Sequence, residues 1–142
     1  MMHDTLQPPG WAPPIGYANG VAAEGRTIHV GGQIGWNAQQ QFESDDLVDQ
    51  VRQTLANIVA VLAAGGATPA NLVSLTWYVT DIEEYLARQK QIGRAYRDVI
   101  GKHFPAMALV QIVRLVEPRA KVEIQATAVL PVRDGTVRLS MA

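Results

Sequence analysis

Few side chains in this sequence have the types and spacing that catalysis or metal binding needs. The chain has no cysteine, which excludes a disulfide framework, a thiolate metal site and a cysteine nucleophile. Its histidines, His3, His29 and His103, lie in separate segments and lack the H-x-x-x-H or H-x-E spacing of a metal site. Its Gly-Gly pairs stand outside any G-x-G-x-x-G or P-loop pattern. The sequence therefore predicts neither a metal site nor a nucleotide cofactor.

The composition indicates one globular domain without affinity for nucleic acid. With 142 residues, 48% of them hydrophobic and 18% charged, the chain has the balance of a single domain over residues 1–142. Its 12 basic and 13 acidic residues give a net charge of −1, too little positive field to hold a phosphate backbone. No signal-peptide pattern is present, and no apolar run approaches the roughly 20 residues that span a bilayer. We expect a soluble, cytoplasmic protein that binds neither membrane nor nucleic acid.

The N-terminal third of the chain carries strand signals after a proline-rich start. Residues 1–14 predict an extended arm with little regular structure. Two short strand patterns follow, Tyr17–Ala23 and Thr27–Ile34, and their close spacing predicts a β-hairpin. The polar segment Trp36–Phe42 fits a loop or a short further strand.

The next segment predicts an amphipathic helix. Ser44, followed by two aspartates, is a helix start signal, because its hydroxyl can cap free amides and the carboxylates favour the positive end of the helix dipole. Gly65-Gly66 marks the end of the helix. One apolar stripe recurs at spacings of three and four residues: Leu47, Val51, Leu55, Ile58 and Leu62.

A strand and a second helix follow. Leu72–Thr80 alternates apolar with polar residues, which is the period of a strand with two different faces. Asp81 and Glu84 resemble a capping box and open a helix that is expected to run to Gly101.

The C-terminal part completes a layered architecture. Two further strands are predicted, Ala106–Leu115 and Lys121–Leu130, and residues 133–142 form a tail. Two amphipathic helices and about five strands predict an α+β fold in which both helices cover one face of a mixed sheet. The opposite face is expected to be too apolar for water and therefore to need a partner surface.

Several stretches resemble one known family in order and spacing. These stretches are Ile15–Val21, Gly32–Ile34, Phe104–Ala106, Arg114–Leu115 and Val122–Ile124. Together they are similar to the RidA/YjgF proteins, the reactive intermediate deaminases that older naming calls endoribonuclease L-PSP-like. The resemblance covers residues 13–131.

The resemblance implies a fold, an assembly and an activity. The fold is chorismate-mutase-like, and the assembly is a homotrimer around a central β-barrel, with a small-molecule cleft between each pair of subunits. Members with the full site hydrolyse imines and enamines released by pyridoxal-phosphate enzymes, without metal or cofactor. In these members an arginine holds the substrate carboxylate and a glutamate positions water.

The catalytic positions of the family are partly retained. By resemblance, Tyr17 corresponds to the site tyrosine and Glu123 to the water-positioning glutamate. The carboxylate-binding arginine is replaced by Met107, and Leu109 stands where the family often has a small residue. If the family geometry holds, Met107, Leu109 and Glu123 line one cleft, and the exchange makes its wall apolar.

Further substrate-binding positions also depart from the pattern. Gly31 replaces a hydroxyl residue before Gly32 and Gln33, and Gly93 stands where the second helix commonly has an asparagine. Trp36 follows closely and is a candidate to cover the cleft, or else a loop aromatic packed on the core.

Alternatives remain open for each of these residues and for the function. The alternative for Met107 and Leu109 is that they are core residues filling a degenerate site, and for Tyr17 that it is an amphipathic boundary tyrosine. The alternative for Glu123 is a solvated strand residue, or one paired with a lysine or arginine across the trimer. The leading hypothesis is a divergent RidA-like hydrolase that acts on an imine, enamine or carbonyl compound less anionic than a 2-iminocarboxylate. The alternative is a trimer that binds a metabolite without catalysis. Ribonuclease activity is disfavoured by the net charge and the scattered histidines.

Overall fold

The computed structural model of the protein describes residues 3–132, which form six strands and three helices. The strands are β1 (Asp4–Leu6), β2 (Gly20–Ala22), β3 (Arg26–Ile34), β4 (Leu72–Val79), β5 (Ala106–Gln111) and β6 (Val122–Leu130). The helices are α1 (Leu47–Ala64), α2 (Ile82–Ala87) and α3 (Gln89–Val99), with a 3-10 turn at Pro69–Asn71. The predicted tail, residues 133–142, lies outside the described residues.

Four strands form one mixed sheet in the order β3-β6-β4-β5. β6 pairs antiparallel with both β3 and β4, whereas β4 and β5 are parallel. Parallel neighbours need a long crossover connection, and α2 and α3 supply it between β4 and β5. The predicted α+β architecture with a mixed sheet is confirmed.

The helices cover one face of this sheet. Leu75, Trp77 and Val79 of β4 point to that face, as their low exposure and the strand alternation require. They pack with the apolar stripe of α1, whose five predicted members are all at most 1% exposed. Burial of each such side chain contributes about 1.5–3 kcal/mol, so this layer is the main source of stability.

The opposite face of the sheet differs from the expectation. It carries Thr76 and Tyr78 of β4 and Gln125 and Thr127 of β6, which alternate with the buried residues. The Tyr78 hydroxyl donates a hydrogen bond to Gln125 Oε1 at 3.2 Å. The face is therefore largely polar rather than apolar, because the polar members of each alternating pair share one side.

The N-terminal arm is more ordered than predicted. β1 pairs antiparallel with β2, with Thr5 opposite Val21, so the predicted hairpin between 17–23 and 27–34 is wrong. His3 lies against the 3-10 turn, with Nε2 at 3.0 Å from the carbonyl oxygen of Asn71. The N-terminal arm thus pairs with β2, which the sequence pattern had assigned to a hairpin with residues 27–34.

The start of the first predicted helix and the continuity of the second differ from the prediction. The N-cap of α1 is Asp46, whose carboxylate accepts from the Asp49 amide at 3.1 Å. Ser44 lies two residues before this N-cap, and its hydroxyl accepts a hydrogen bond from the Asp46 amide at 3.0 Å. The single helix predicted from Asp81 is divided at Arg88 into α2 and α3, although Asp81 caps α2 as expected.

β5 is shorter than the predicted strand and ends at Gln111. The Gln111 side chain turns back, and its Oε1 accepts from the Ile82 amide at 2.8 Å. This contact joins the end of β5 to the first turn of α2, where backbone amides lack helical partners. The segment from Trp36 to Phe42 closes with a single antiparallel bridge between these two residues. Within residues 3–132, no helix has the length and apolar character to cross a bilayer.

Candidate functional site

A cavity of about 650 Å³ lies between α3 and the outer strand β5. Its walls come from α2, α3, β4, β5 and residues 15–17. Its aromatic lining residues are Tyr17, Trp77, Tyr85, Tyr96 and Phe104. This volume is typical of a pocket for a small molecule.

The N-terminal segment brings Tyr17 to the cavity. The next residue, Ala18, donates its amide to the carbonyl oxygen of Pro105 at 3.0 Å and forms a parallel bridge to Ala106. The chain around Tyr17 is thus fixed beside the first residue of β5. The Tyr17 side chain is 44% exposed, so its hydroxyl is available to a ligand or to another chain.

Met107 and Leu109 form the floor of the cavity. In the β4–β5 register they stand opposite Leu75 and Trp77, on the face that the helices cover. Both are half-buried and pack against the core, which leaves their remaining surface to the cavity. With Tyr17 and Gly93, which also line it, four of the predicted site residues meet here.

The aromatic wall is rigid and apolar. The Tyr96 ring stacks on Phe104 with centroids 5.4 Å apart, and its hydroxyl donates to the His103 carbonyl oxygen at 2.6 Å. Burial raises the pKa of Tyr96 and of Tyr85, so both phenols stay neutral at physiological pH. Trp77 is 4% exposed, and its Nε1 is buried without a hydrogen-bond partner among the described residues.

Glu123 does not line this cavity within one chain. It stands opposite Tyr78 in the β4–β6 register and therefore lies on the face away from the helices. Its side chain is half-buried, beside Gly32 of β3. The apolar neighbours expected for it, Met107 and Leu109, are on the other side of the sheet.

Gly31, Gly32 and Gln33 belong to this second group. The β3–β6 pairing is irregular between Val30 and Gln33, which places the two glycines in a bulge. Gln33 Nε2 donates to the Gly31 carbonyl oxygen at 3.1 Å. The predicted site residues thus form two separate groups in a single chain.

Trp36 belongs to neither group. Its ring lies against Phe42, with centroids 6.0 Å apart, and the Arg119 guanidinium lies 5.3 Å from the Phe42 ring centroid. Asn57 of α1 donates to the Trp36 carbonyl oxygen at 2.8 Å. In one chain Trp36 is a loop aromatic and not a cover of the cavity.

The sequence reasoning missed three polar side chains of the cavity: Tyr85, Gln89 and Arg97. All three project from α2 or α3 beside Gly93. Their spacing on the helices, with Gln89, Gly93 and Arg97 four residues apart, was the available signal. His103 lies nearby, but its Nε2 is 2.8 Å from the Leu72 carbonyl oxygen. Within residues 3–132, no group of three or more histidine and acidic side chains could hold a metal ion.

The chain is similar to known proteins over most of its length. Residues 10–130 match the family model described as endoribonuclease L-PSP. The goat (Capra hircus) protein named 2-iminobutanoate/2-iminopropanoate deaminase is 34% identical over 106 residues, 73% of each chain.

Solved structures agree with the sequence match. YyfB of the Rid protein family from Yersinia pestis superposes with a TM-score of 0.81 at 33% identity, covering 92% of this chain and 100% of YyfB. The YjgF gene product from E. coli gives a TM-score of 0.64 at 31% identity, covering 80% of this chain and 87% of YjgF. The long family match and these superpositions together assign the chain to the RidA/YjgF family of endoribonuclease L-PSP-like proteins.

Proposed function

We propose that this protein is a hydrolase of the deaminase type that acts on an imine, enamine or related carbonyl compound. The reacting centre would lie in a cleft between two copies of the chain. The name of the goat relative, an iminobutanoate and iminopropanoate deaminase, supports the reaction class.

The observation that carries the proposal is the division of the site residues between two faces of one sheet. Tyr17 and Met107 line the cavity on the helix side, whereas Glu123 and Gly32 lie on the opposite side. Closed rings of identical subunits join two different surfaces of each copy, so one copy can supply the cavity and its neighbour the carboxylate. We propose a homotrimer, as the family resemblance implies. Light scattering should then give a mass three times the 15.4 kDa of one chain, whereas a mass near one chain would contradict the shared cleft.

The proposed chemistry needs only an acid–base group and water. Glu123 would take one proton from water as the water oxygen attacks the imine carbon, and would return that proton to the nitrogen, which gives a neutral carbinolamine. It would then take the proton of the carbinolamine hydroxyl and pass it to the nitrogen as the carbon–nitrogen bond breaks, so that a carbonyl compound and ammonia leave. The Tyr17 hydroxyl would hydrogen-bond the reacting nitrogen or oxygen. A positioned acid or base of this kind contributes about 10²–10⁴-fold to a rate.

A second candidate is binding without catalysis. The cavity lining within the described residues contains neither a carboxylate nor a histidine, so its ionisable groups in one chain are limited to phenols and Arg97. Such a pocket can sequester a metabolite without turning it over. Ribonuclease activity is not proposed, because the net charge is −1 and two of the three histidine rings contact backbone carbonyls.

The two candidates are separated by an assay on imines generated in situ by an amino acid oxidase. Ammonia release above the spontaneous rate, lost in Glu123→Gln and in Tyr17→Phe, supports the hydrolase. Binding of the carbonyl products without any acceleration of imine loss supports the binding protein and refutes the hydrolase.

A further inference from the structure

We infer that Arg97 is the anion anchor of the cavity, and that the ligand is a carboxylate carrying an aromatic or similarly large apolar group. The inference deepens the proposed function, since it names the substrate class of the same cavity. It revises the expectation of a weakly charged ligand, which rested on Met107 alone.

Arg97 is the one charged side chain among the described residues that line the cavity. It has no ion pair within residues 3–132, although four other basic side chains there do. Its neighbour Asp98 is engaged elsewhere, with Oδ2 at 3.1 Å from Arg52 Nη1 on α1. The Arg97 guanidinium therefore keeps its donors for a ligand, and its planar fork suits a carboxylate.

The position of the guanidinium depends on Gly93. The two residues are one helical turn apart on α3, and a β-carbon at Gly93 would lie 3.4 Å from Arg97 Nη1. A longer side chain at position 93 would occupy the space that the guanidinium now uses. The absence of a side chain thus lets Arg97 lie along the helix surface toward the cavity.

The remainder of the cavity accepts an apolar group. Trp77, Phe104 and Leu109 supply hydrophobic surface, and Met107 adds an adaptable apolar side chain in place of the family arginine. The volume of about 650 Å³ exceeds what a three-carbon acid fills. A ligand that buries apolar area against these side chains gains affinity from the hydrophobic effect.

The test compares two ligands of the same shape, 3-phenylpropanoate and 3-phenylpropanamide, by isothermal titration calorimetry at low ionic strength. Arg97 is exposed and water screens its charge, so the carboxylate should bind the wild type about fivefold more tightly than the amide. Arg97→Gln should remove this preference, and Gly93→Asn should weaken it. Arg94→Gln is the matched control: Arg94 lies on the same helix and is exposed, as Arg97 is, but does not line the cavity, so the preference should remain.

Three results would overturn the inference: equal affinity for both ligands, a preference that survives Arg97→Gln, or no binding of either ligand. Propanoate should bind more weakly than 3-phenylpropanoate, and equal binding would refute the apolar subsite. Failure of the hydrolase is a separate outcome. If the protein prefers the carboxylate but hydrolyses no imine, Arg97 remains the anion anchor and the proposed hydrolase activity is refuted. If it hydrolyses imines without preferring the carboxylate, the role of Arg97 is refuted and the hydrolase activity stands.

Discussion

The Glu123 carboxylate lies directly over Gly32, in the space that a β-carbon on Gly32 would occupy. β3 and β6 are neighbours in the sheet, and the bulge at the glycines lets the carboxylate lie against bare backbone. The position of the proposed catalytic group is therefore set by a missing side chain on the adjacent strand.

Gly32→Ala is expected to displace the Glu123 side chain, because the methyl group would overlap its terminal atoms. Imine turnover should fall on the order of 10²-fold, the usual effect of a small misplacement of a reacting group. The melting temperature should change little, since the flexible end of the side chain can move. Thr27→Ala is the control, because Thr27 lies on the same strand, is exposed and belongs to neither group of site residues. Equal activity of both variants would contradict the role of Gly32.

Glu123→Gln keeps the shape of the side chain and removes its ionisation. If the cleft is catalytic, turnover should fall by about 10²–10⁴-fold. If the cleft only binds, the affinity for a product analogue should stay at the wild-type value. Glu117→Gln, in the loop before β6, serves as a control and should leave turnover unchanged in steady-state assays.

Met107→Arg should increase the hydrolysis of small 2-imino acids. The family resemblance implies a carboxylate-binding arginine at position 107, where this chain has methionine, and a three-carbon acid is too small to fill the cavity while contacting Arg97, so 2-iminopropanoate should be hydrolysed poorly. A new guanidinium on β5 should raise that rate by about tenfold or more. Met107→Leu, which keeps the floor apolar, should behave as the wild type. Wild-type turnover equal to that of an arginine-bearing relative would refute this reasoning.

Asp46 should make stability depend on acid pH. The Arg88 guanidinium, with Nη1 at 3.0 Å from Asp46 Oδ1, holds the pKa of the Asp46 carboxyl below its ordinary value of 3.8. Because the native pKa is lowered, the contribution is present above pH 3.8 and is lost as the pH falls through the native pKa. Asp46→Asn preserves a capping oxygen and removes the charge.

Urea unfolding should give a difference between wild type and Asp46→Asn of about 0.5–1 kcal/mol at neutral pH, the screened value for a partly exposed pair. The difference should shrink toward pH 3. Asp45→Asn, which removes a more exposed partner of Arg119, should cost less. A difference that does not vary with pH would contradict the role of the ion pair.

Long periodic segments could be predicted from the sequence, and short or interrupted ones could not. The apolar stripe of α1 and the alternation of β4 each repeat over several turns or residue pairs, which makes the pattern clear in the sequence. The burial of these residues in the structure confirms both predictions. β1 has three residues and pairs with the distant β2, with Asp4 opposite Ala22 and Leu6 opposite Gly20. No local pattern encodes such a pairing. The break at Arg88 likewise has neither glycine nor proline to mark it.

The sequence shows which candidate site residues share a strand face, but not how the two faces lie relative to each other. The alternation of a strand puts Met107 with Leu109, and Glu123 with Gln125, on one face each, in agreement with the observed registers. Alternation alone does not show whether these two strand faces lie on the same side of the sheet, because that depends on the β4–β5 and β4–β6 registers. Arg97 was missed for a different reason: an exposed arginine on an amphipathic helix has the same sequence pattern as a solvated surface residue.

The order of the sheet also constrains how the chain can fold during synthesis. β6 is the last strand along the described chain, yet it lies between β3 and β4 and pairs with both. β3 therefore has no sheet partner of its own until residues near 130 have left the ribosome. Such late, long-range pairing is slow and leaves strand edges unpaired meanwhile. The nascent chain should thus expose the unpaired edge of β3 until its final strand inserts.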